Sequence, residues 1–412
     1  MHPGTEAAVL LHAGDPAATT RSPRGFALFA YGFRPFFLLA GIHALIAVPI
    51  WVWLYSHGAV PLPGLPPQLW HGHELLYGFI GAAIAGFLLT AVPSWTGARG
   101  FAGFPLILVV GLWIAGRLAM AAAAVLPPWL VSAAELVFLP AIAALLAPPL
   151  LRTRNRNRLM LIIIGVLWLI DVAFIVAMNS GDALLAQRAL RLGIDIVLIL
   201  VTVIGGRIIP SFTANGLRKR GDTTPLIARP WLDPVVIGLM VVVAALDAVS
   251  PDSMPSGILA ALAAAAHALR LSGWRGLRTW REPILWVLHV GYAWLPIALA
   301  LKALWLLTGV EWSAHWLHAL TLGTFGTMIL AVMTRASLGH TGRPLIVSRT
   351  TAVSYLVLTA AVLVRVFGPA LGSVDYLDTV TAAGVLWSVA FSLYLAVYTP
   401  ILMRPRIDGK PG

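Results

Sequence analysis

The sequence predicts an all-α membrane protein of about twelve transmembrane helices. Three observations carry that prediction. Hydrophobic residues make up 59% of the 412 residues and charged ones 11%, the mean hydropathy is +0.88, and apolar stretches of spanning length recur along the whole chain. A soluble domain carries roughly 25% charged residues. A bilayer core about 30 Å thick takes ~20 apolar residues per helix, so a chain of this length can supply about twelve spans with short loops.

Residues 1–24 are rich in Gly, Ala, Pro and Thr and lack a sustained apolar core. They read as a flexible cytoplasmic tail, not as a cleavable signal peptide. Apolar stretches then fall near 33–55, 70–93, 104–125, 128–151, 158–179 and 184–209. Six more follow near 230–249, 255–272, 283–308, 313–335, 350–369 and 376–402. Residues 25–403 thus form a single membrane domain, and 404–412 a second short tail.

Charge placement orients these spans, because Lys and Arg gather in cytoplasmic loops. Arg99, Arg152, Arg154, Arg156, Arg158, Arg218, Lys219, Arg220 and Arg229 follow even-numbered spans. So do Arg270, Arg275, Arg278, Arg281, Arg343, Arg349, Arg404, Arg406 and Lys410. The segments around 56–69, 250–254 and 309–312, after odd-numbered spans, carry no Lys or Arg. Both termini are therefore expected in the cytoplasm. The net charge of +12 marks those loops and not a nucleic-acid surface. With no cysteine in the chain, disulfides and thiolate ligands are excluded, and any metal must sit on His, Met or carboxylate.

The second span from His73 reads HELLYGFIGAAIAGFLLTAVPSWTG and the tenth from His318 reads HALTLGTFGTMILAVMTRASLGHTG. Without a gap they share His73 with His318, Gly78 with Gly323, Gly81 with Gly326, Ile84 with Ile329, and Thr96-Gly97 with Thr341-Gly342. Arg34, Arg158 and Arg281, at the starts of the first, fifth and ninth spans, are spaced by about 124 residues. Such self-similarity predicts three pseudo-repeated four-helix units, approximately 33–157, 158–280 and 281–403. In the middle unit the matching region is Leu192-Gly193, so a threefold His site is excluded.

A twelve-helix chain with such a repeat resembles subunit I of haem-copper oxidases, whose second and tenth helices carry the His ligands of a low-spin haem. His73 and His318 stand at one register here, one to two turns in from the same side, and two imidazoles at equal depth can clamp one iron. His71 lies two residues from His73, roughly 200° around an ideal helix. Both can therefore face one metal only where the first turn is irregular; otherwise His71 is an interfacial residue beside Trp70. Glu74 reads either as a partner holding the far nitrogen of His71 or as a helix-start carboxylate favoured by the dipole.

Local strings make the likeness more specific. GFRPFFLLAG from Gly32, WHGHELLYGF from Trp70, GFLLTAVPSWTG from Gly86, GGRIIPSFTANG from Gly205, LHVGYAWLP from Leu288 and LAVMTRASLGHTGRPL from Leu330 are similar to signature segments of the NnrS family. The likeness runs from about residue 25 to 402. Members of that family are haem- and copper-containing bacterial inner-membrane proteins associated with nitric oxide stress and denitrification. The resemblance implies a b-type haem, copper, and nitric oxide as ligand, and it carries the family's histidines onto His71, His73, His289, His318 and His340. Leu75 stands where the family often has Met, a change that bears on packing.

His289 and His340 lie near the opposite, cytoplasmic side from His73. With Arg207, Arg335 and Arg343 they read either as a second cofactor site or as a lattice that pins loops and helix ends. His315 is one turn before His318 and is a possible copper ligand or a solvated residue of the helix mouth. His43 reads as a packed polar residue, His267 as snorkelling, and His57, His2 and His12 as solvated. Asp171, Asp195, Asp247 and Arg117 are intramembrane and so functional candidates; Asp195 is one turn from Arg191 and expected to pair with it.

His without Cys suits haem iron and copper. The leading expectation is a protein that counters nitric oxide stress by binding or redox chemistry at the metal. A haem-copper oxidoreductase would need about three imidazoles around copper, and a secondary transporter would draw on the repeat and the buried charges. No nucleic acid is expected as a partner, the electron donor stays open, and the surrounding bilayer is the one sure contact.

Overall fold

The computed structural model describes residues 25–62, 64–153, 156–372 and 374–410. The expectations for residues 1–24, His2 and His12 among them, and for Arg154 lie outside the described residues. Twelve helices are long and apolar enough to cross a membrane, and among the described residues there is no strand. They are α1 (Phe33–Ser56), α2 (Pro67–Thr96), α3 (Phe104–Ala121), α4 (Pro128–Arg152), α5 (Leu159–Ser180) and α6 (Ala183–Lys219). The remaining six are α7 (Leu232–Val249), α8 (Met254–Ser272), α9 (Pro283–Thr308), α10 (Glu311–His340), α11 (Arg349–Leu371) and α12 (Tyr376–Met403). The chain is a multi-pass membrane protein. Ile162, Leu169, Leu118, Val242 and Leu356 are exposed along these helices, apolar surface that a soluble protein would cover and lipid accepts.

Helix edges move for local reasons. α2 begins at Pro67, the first-turn position where the missing N–H of proline is harmless, so His71 lies inside a regular turn. α6 runs past the expected end at 209 because Asn215, Arg218 and Lys219 continue it beyond its apolar part; hydropathy reports only that part.

α1 packs on α2 and on α12, α11 on α12, and α5 to α10 each on the next. Buried Arg34, near the start of α1, donates to the carbonyls of Leu402 at 2.9 Å and Arg404 at 2.7 Å. It thereby ties the first helix to unsatisfied carbonyls at the end of the last. α2, α6, α9 and α10 are the most enclosed helices, and they surround the sites below.

α2 and α10 each break into a π-helix at matching places, Glu74–Ile80 and Ala319–Gly326. π-turns bond five residues apart and occur mostly at functional sites. Their loosened carbonyls find side-chain donors: Trp113 Nε1 donates to Gly78 O at 3.3 Å and Thr321 Oγ1 to Leu317 O at 2.9 Å. Gly78 is required here because a Cβ would overlap the ring of His43.

A second close approach makes a test of the packing. The buried guanidinium of Arg270 donates to Asp233 Oδ1 at 2.6 Å, to Thr202 O at 2.8 Å and to Tyr292 Oη at 3.0 Å. A methyl at Gly206 would overlap it. Gly206→Ala is expected to destabilise the protein by about 1–3 kcal/mol, as overpacking does. A lowered melting temperature in detergent checks this.

Candidate functional site

The histidines of α2 divide between two environments on opposite sides of the helix. His71 and His318 line one cleft of about 320 Å³, together with Trp51, Trp387, Arg191 and Arg365. The expectation that His73 shares a site with His318 is not met by this arrangement: the imidazole that meets the cleft with His318 is His71. The reason is the roughly 200° that separates residues i and i+2 on a helix, since the π-segment begins only at Glu74.

His71 stacks on Trp51 at 4.7 Å and 24°, and its buried Nδ1 has no hydrogen-bond partner. The His318 ring makes no hydrogen bond among the described residues. Buried polar atoms are normally paired, so the unpartnered Nδ1 of His71, on a cavity that His318 also lines, marks an interaction the protein chain does not itself supply. At the mouth, Arg365 donates to Tyr376 Oη at 2.7 Å and lies 3.5 Å from His315 Nδ1. His315 also stacks on Tyr376. It supports the arginine from the rim and is partly exposed.

His73 turns to the other side and is fully buried. Its Nε2 lies 3.1 Å from Asp171 Oδ1 and 3.7 Å from Glu135 Oε1, and its Nδ1 lies 3.4 Å from Glu74 Oε1. Phe174 stacks on the ring at 4.5 Å. Arg117 donates to Glu74 Oε1 at 2.7 Å and also to Glu135. His43 meets Glu74 through both its backbone oxygen, at 3.0 Å, and its carboxylate, at 3.4 Å. Glu74 therefore serves His73, His43 and Arg117, and not His71 as the sequence suggested.

Three carboxylates thus face one guanidinium in a buried site, an excess of negative charge that low dielectric makes costly. His73, Glu135 and Asp171 each offer a ligand atom within 4.8 Å of the others, and this group could hold a metal ion. Among the described residues it is the only grouping of His, Asp and Glu that close. Glu135 escaped the sequence reading. The signal that could have found it is Arg117, a charge in the middle of an apolar helix that needs anions beside it.

The residues of the opposite side do not converge. His289 Nε2 pairs with Thr213 Oγ1 at 2.9 Å, while His340 lies among Tyr31, Phe33 and Arg406. Arg207 is exposed and donates to Asn157 at 2.9 Å, and Arg335 sits 3.9 Å above the Phe212 ring. His289 and His340 share none of these partners, and the buried Nδ1 of His289 has no hydrogen-bond partner.

Two further expectations are corrected. Arg191 pairs with exposed Asp252 at 3.2 Å and not with Asp195, although both Arg191 and Asp195 border a small cavity with Asp247 and Lys302. Lys302, fully buried, pairs with Asp247, which also accepts from Ser256 at 2.5 Å. His267 does not snorkel: it is buried and bonds Tyr292 Oη at 2.8 Å, since its face of α8 packs on α9. His57 is exposed as expected.

A family described as "NnrS protein" matches residues 27–406. No curated protein matches the chain.

Proposed function

The chain belongs to the NnrS family, and from that membership and the geometry of the cleft we propose that it is a haem-containing, copper-associated bacterial inner-membrane protein that counters nitric oxide stress. One observation carries the haem reading: imidazoles from α2 and α10, His71 and His318, line one cavity, and the buried Nδ1 of His71 has no protein partner there. The donor chemistry fits a porphyrin. Val48, Leu76, Phe79 and Trp387 supply apolar walls for a ring, and Arg191 and Arg365 supply cations for its carboxylates.

His71 and His318 are the residues that would hold the iron. Trp51 fixes the plane of His71 through stacking, and Tyr376 fixes Arg365. A haem held by both imidazoles would supply an iron that passes an electron, and that takes nitric oxide only where the gas displaces one of the two imidazoles. His73, Glu135 and Asp171 are our assignment for the second metal, copper by family likeness. That group contributes one imidazole, short of the three or so that the oxidoreductase reading needs, so we place binding or electron transfer ahead of haem-copper turnover.

The direct test is the optical spectrum of the purified, reduced protein with and without nitric oxide. A haem band that shifts with the gas is expected. A bis-imidazole spectrum indifferent to it removes gas capture from the proposal, and purified protein with no haem removes the cofactor.

We also propose that residues 25–403 form one membrane domain of three four-helix units, with both termini cytoplasmic. A topology reporter fused at residue 62, in a stretch free of Lys and Arg, is expected outside the cytoplasm. A cytoplasmic signal there reverses the orientation.

A further inference from the structure

Alongside the cleft lies a second chamber of about 90 Å³ between α1, α2, α6 and α10, open on one side, where Ile84, Phe87, Val201 and Ile204 are partly exposed. Phe37, Ile84, Phe87, Val201, Ile204 and Met328 are among its walls, and no lining side chain carries a nitrogen or oxygen. The chamber touches the cleft twice over. Ile80, the last residue of the first π-helix, lines both. A smaller void beside it shares Leu76 with the cleft and shares Ile84 and Val197 with the chamber.

We propose that this chamber is a holding and access site for a small, uncharged, apolar diatomic gas on its way to the cleft. Water needs two to four polar partners to settle in a cavity, and none is offered here; the open side of the chamber, between apolar spans, lets an apolar gas enter from the lipid. A charged or hydrogen-bonding ligand would lose its hydration with nothing to replace it. What links the chamber to function is the shared Ile80 wall, and rotation of that one side chain is the passage this proposal requires. The identity of the gas as nitric oxide rests on the haem reading above, whereas the chamber's affinity for an apolar atom does not.

The test has two arms. First, a structure of the purified protein under xenon pressure is expected to show xenon in the chamber, and Ile84→Trp and Val201→Phe, made separately, are each expected to exclude it. Second, association of nitric oxide with the reduced haem is expected to slow about tenfold in either filled variant, equivalent to roughly 1.4 kcal/mol on the barrier, with haem content unchanged. Ile80→Ala is expected to speed it. A chamber without xenon, or one holding a lipid or detergent chain in its place, overturns the proposal. So do filled variants that exclude xenon yet bind the gas at the parental rate. Protein that takes up xenon but carries no haem defeats the haem reading alone.

Discussion

Alanine at His71 or at His318 is expected to strip haem from the purified protein, whereas alanine at His73 is expected to leave it in place. The asymmetry follows from the side of α2 that each residue occupies. His71 has a partnerless buried nitrogen and lines the cleft with His318, while both nitrogens of His73 are taken up by Asp171 and Glu74. Partners that merely orient a metal ligand are worth about 10–100-fold in affinity, so loss of the ligand itself is expected to cost more than about 100-fold. Haem-to-protein ratio from a pyridine haemochrome spectrum checks this. Free imidazole added to His71→Gly is expected to restore part of the haem. The reverse pattern, with His73→Ala haem-free and His71→Ala loaded, sinks the assignment.

Which of these features could be read from the amino-acid sequence divides along physical lines. The twelve spans were legible because each must present ~20 apolar residues to lipid; their edges were not, since α6 continues through polar Asn215 to Lys219 and α3 stops at Ala121, short of the apolar run to 125. His318 was legible because a helix start that carries an imidazole stands out in an apolar chain. The choice between His71 and His73 was not. Sequence register makes His73 the counterpart of His318, but the side of the helix each residue faces depends on where the π-turns begin. A π-turn has no composition of its own.

Buried ion pairs were half legible. Arg117, Asp171, Asp195 and Asp247 stood out as charges among apolar residues, yet their partners lie on other helices: Glu135 on α4 and Lys302 on α9. The nearest charge along the helix, Arg191 for Asp195, proved to be the wrong partner because the loop residue Asp252 reaches it instead. Sequence spacing lists the neighbours on one helix and leaves out those that packing brings from the next.

The second large effect is expected at Arg117. Arg117→Met leaves Glu74 and Glu135 buried without their cation, beside Asp171. Removing one partner of a buried pair typically costs about 3–5 kcal/mol, more than the pair contributes over an apolar replacement. Much lower yield and melting temperature in detergent are expected. Adding Glu135→Gln to that variant removes one uncompensated charge while keeping the shape. The double variant is therefore expected to recover about 0.5–3 kcal/mol, the range of coupling between residues in contact. Strictly additive losses would mean that Arg117 acts through packing alone. The same cycle examines the metal assignment. A divalent ion on His73, Glu135 and Asp171 replaces the missing positive charge, so copper should raise the melting temperature of Arg117→Met more than that of the parent. A chelator should lower the temperature of both. If neither reagent moves either protein, the cluster is a salt-bridge network that braces α2 against α3, α4 and α5, and the proposal of copper at these residues fails.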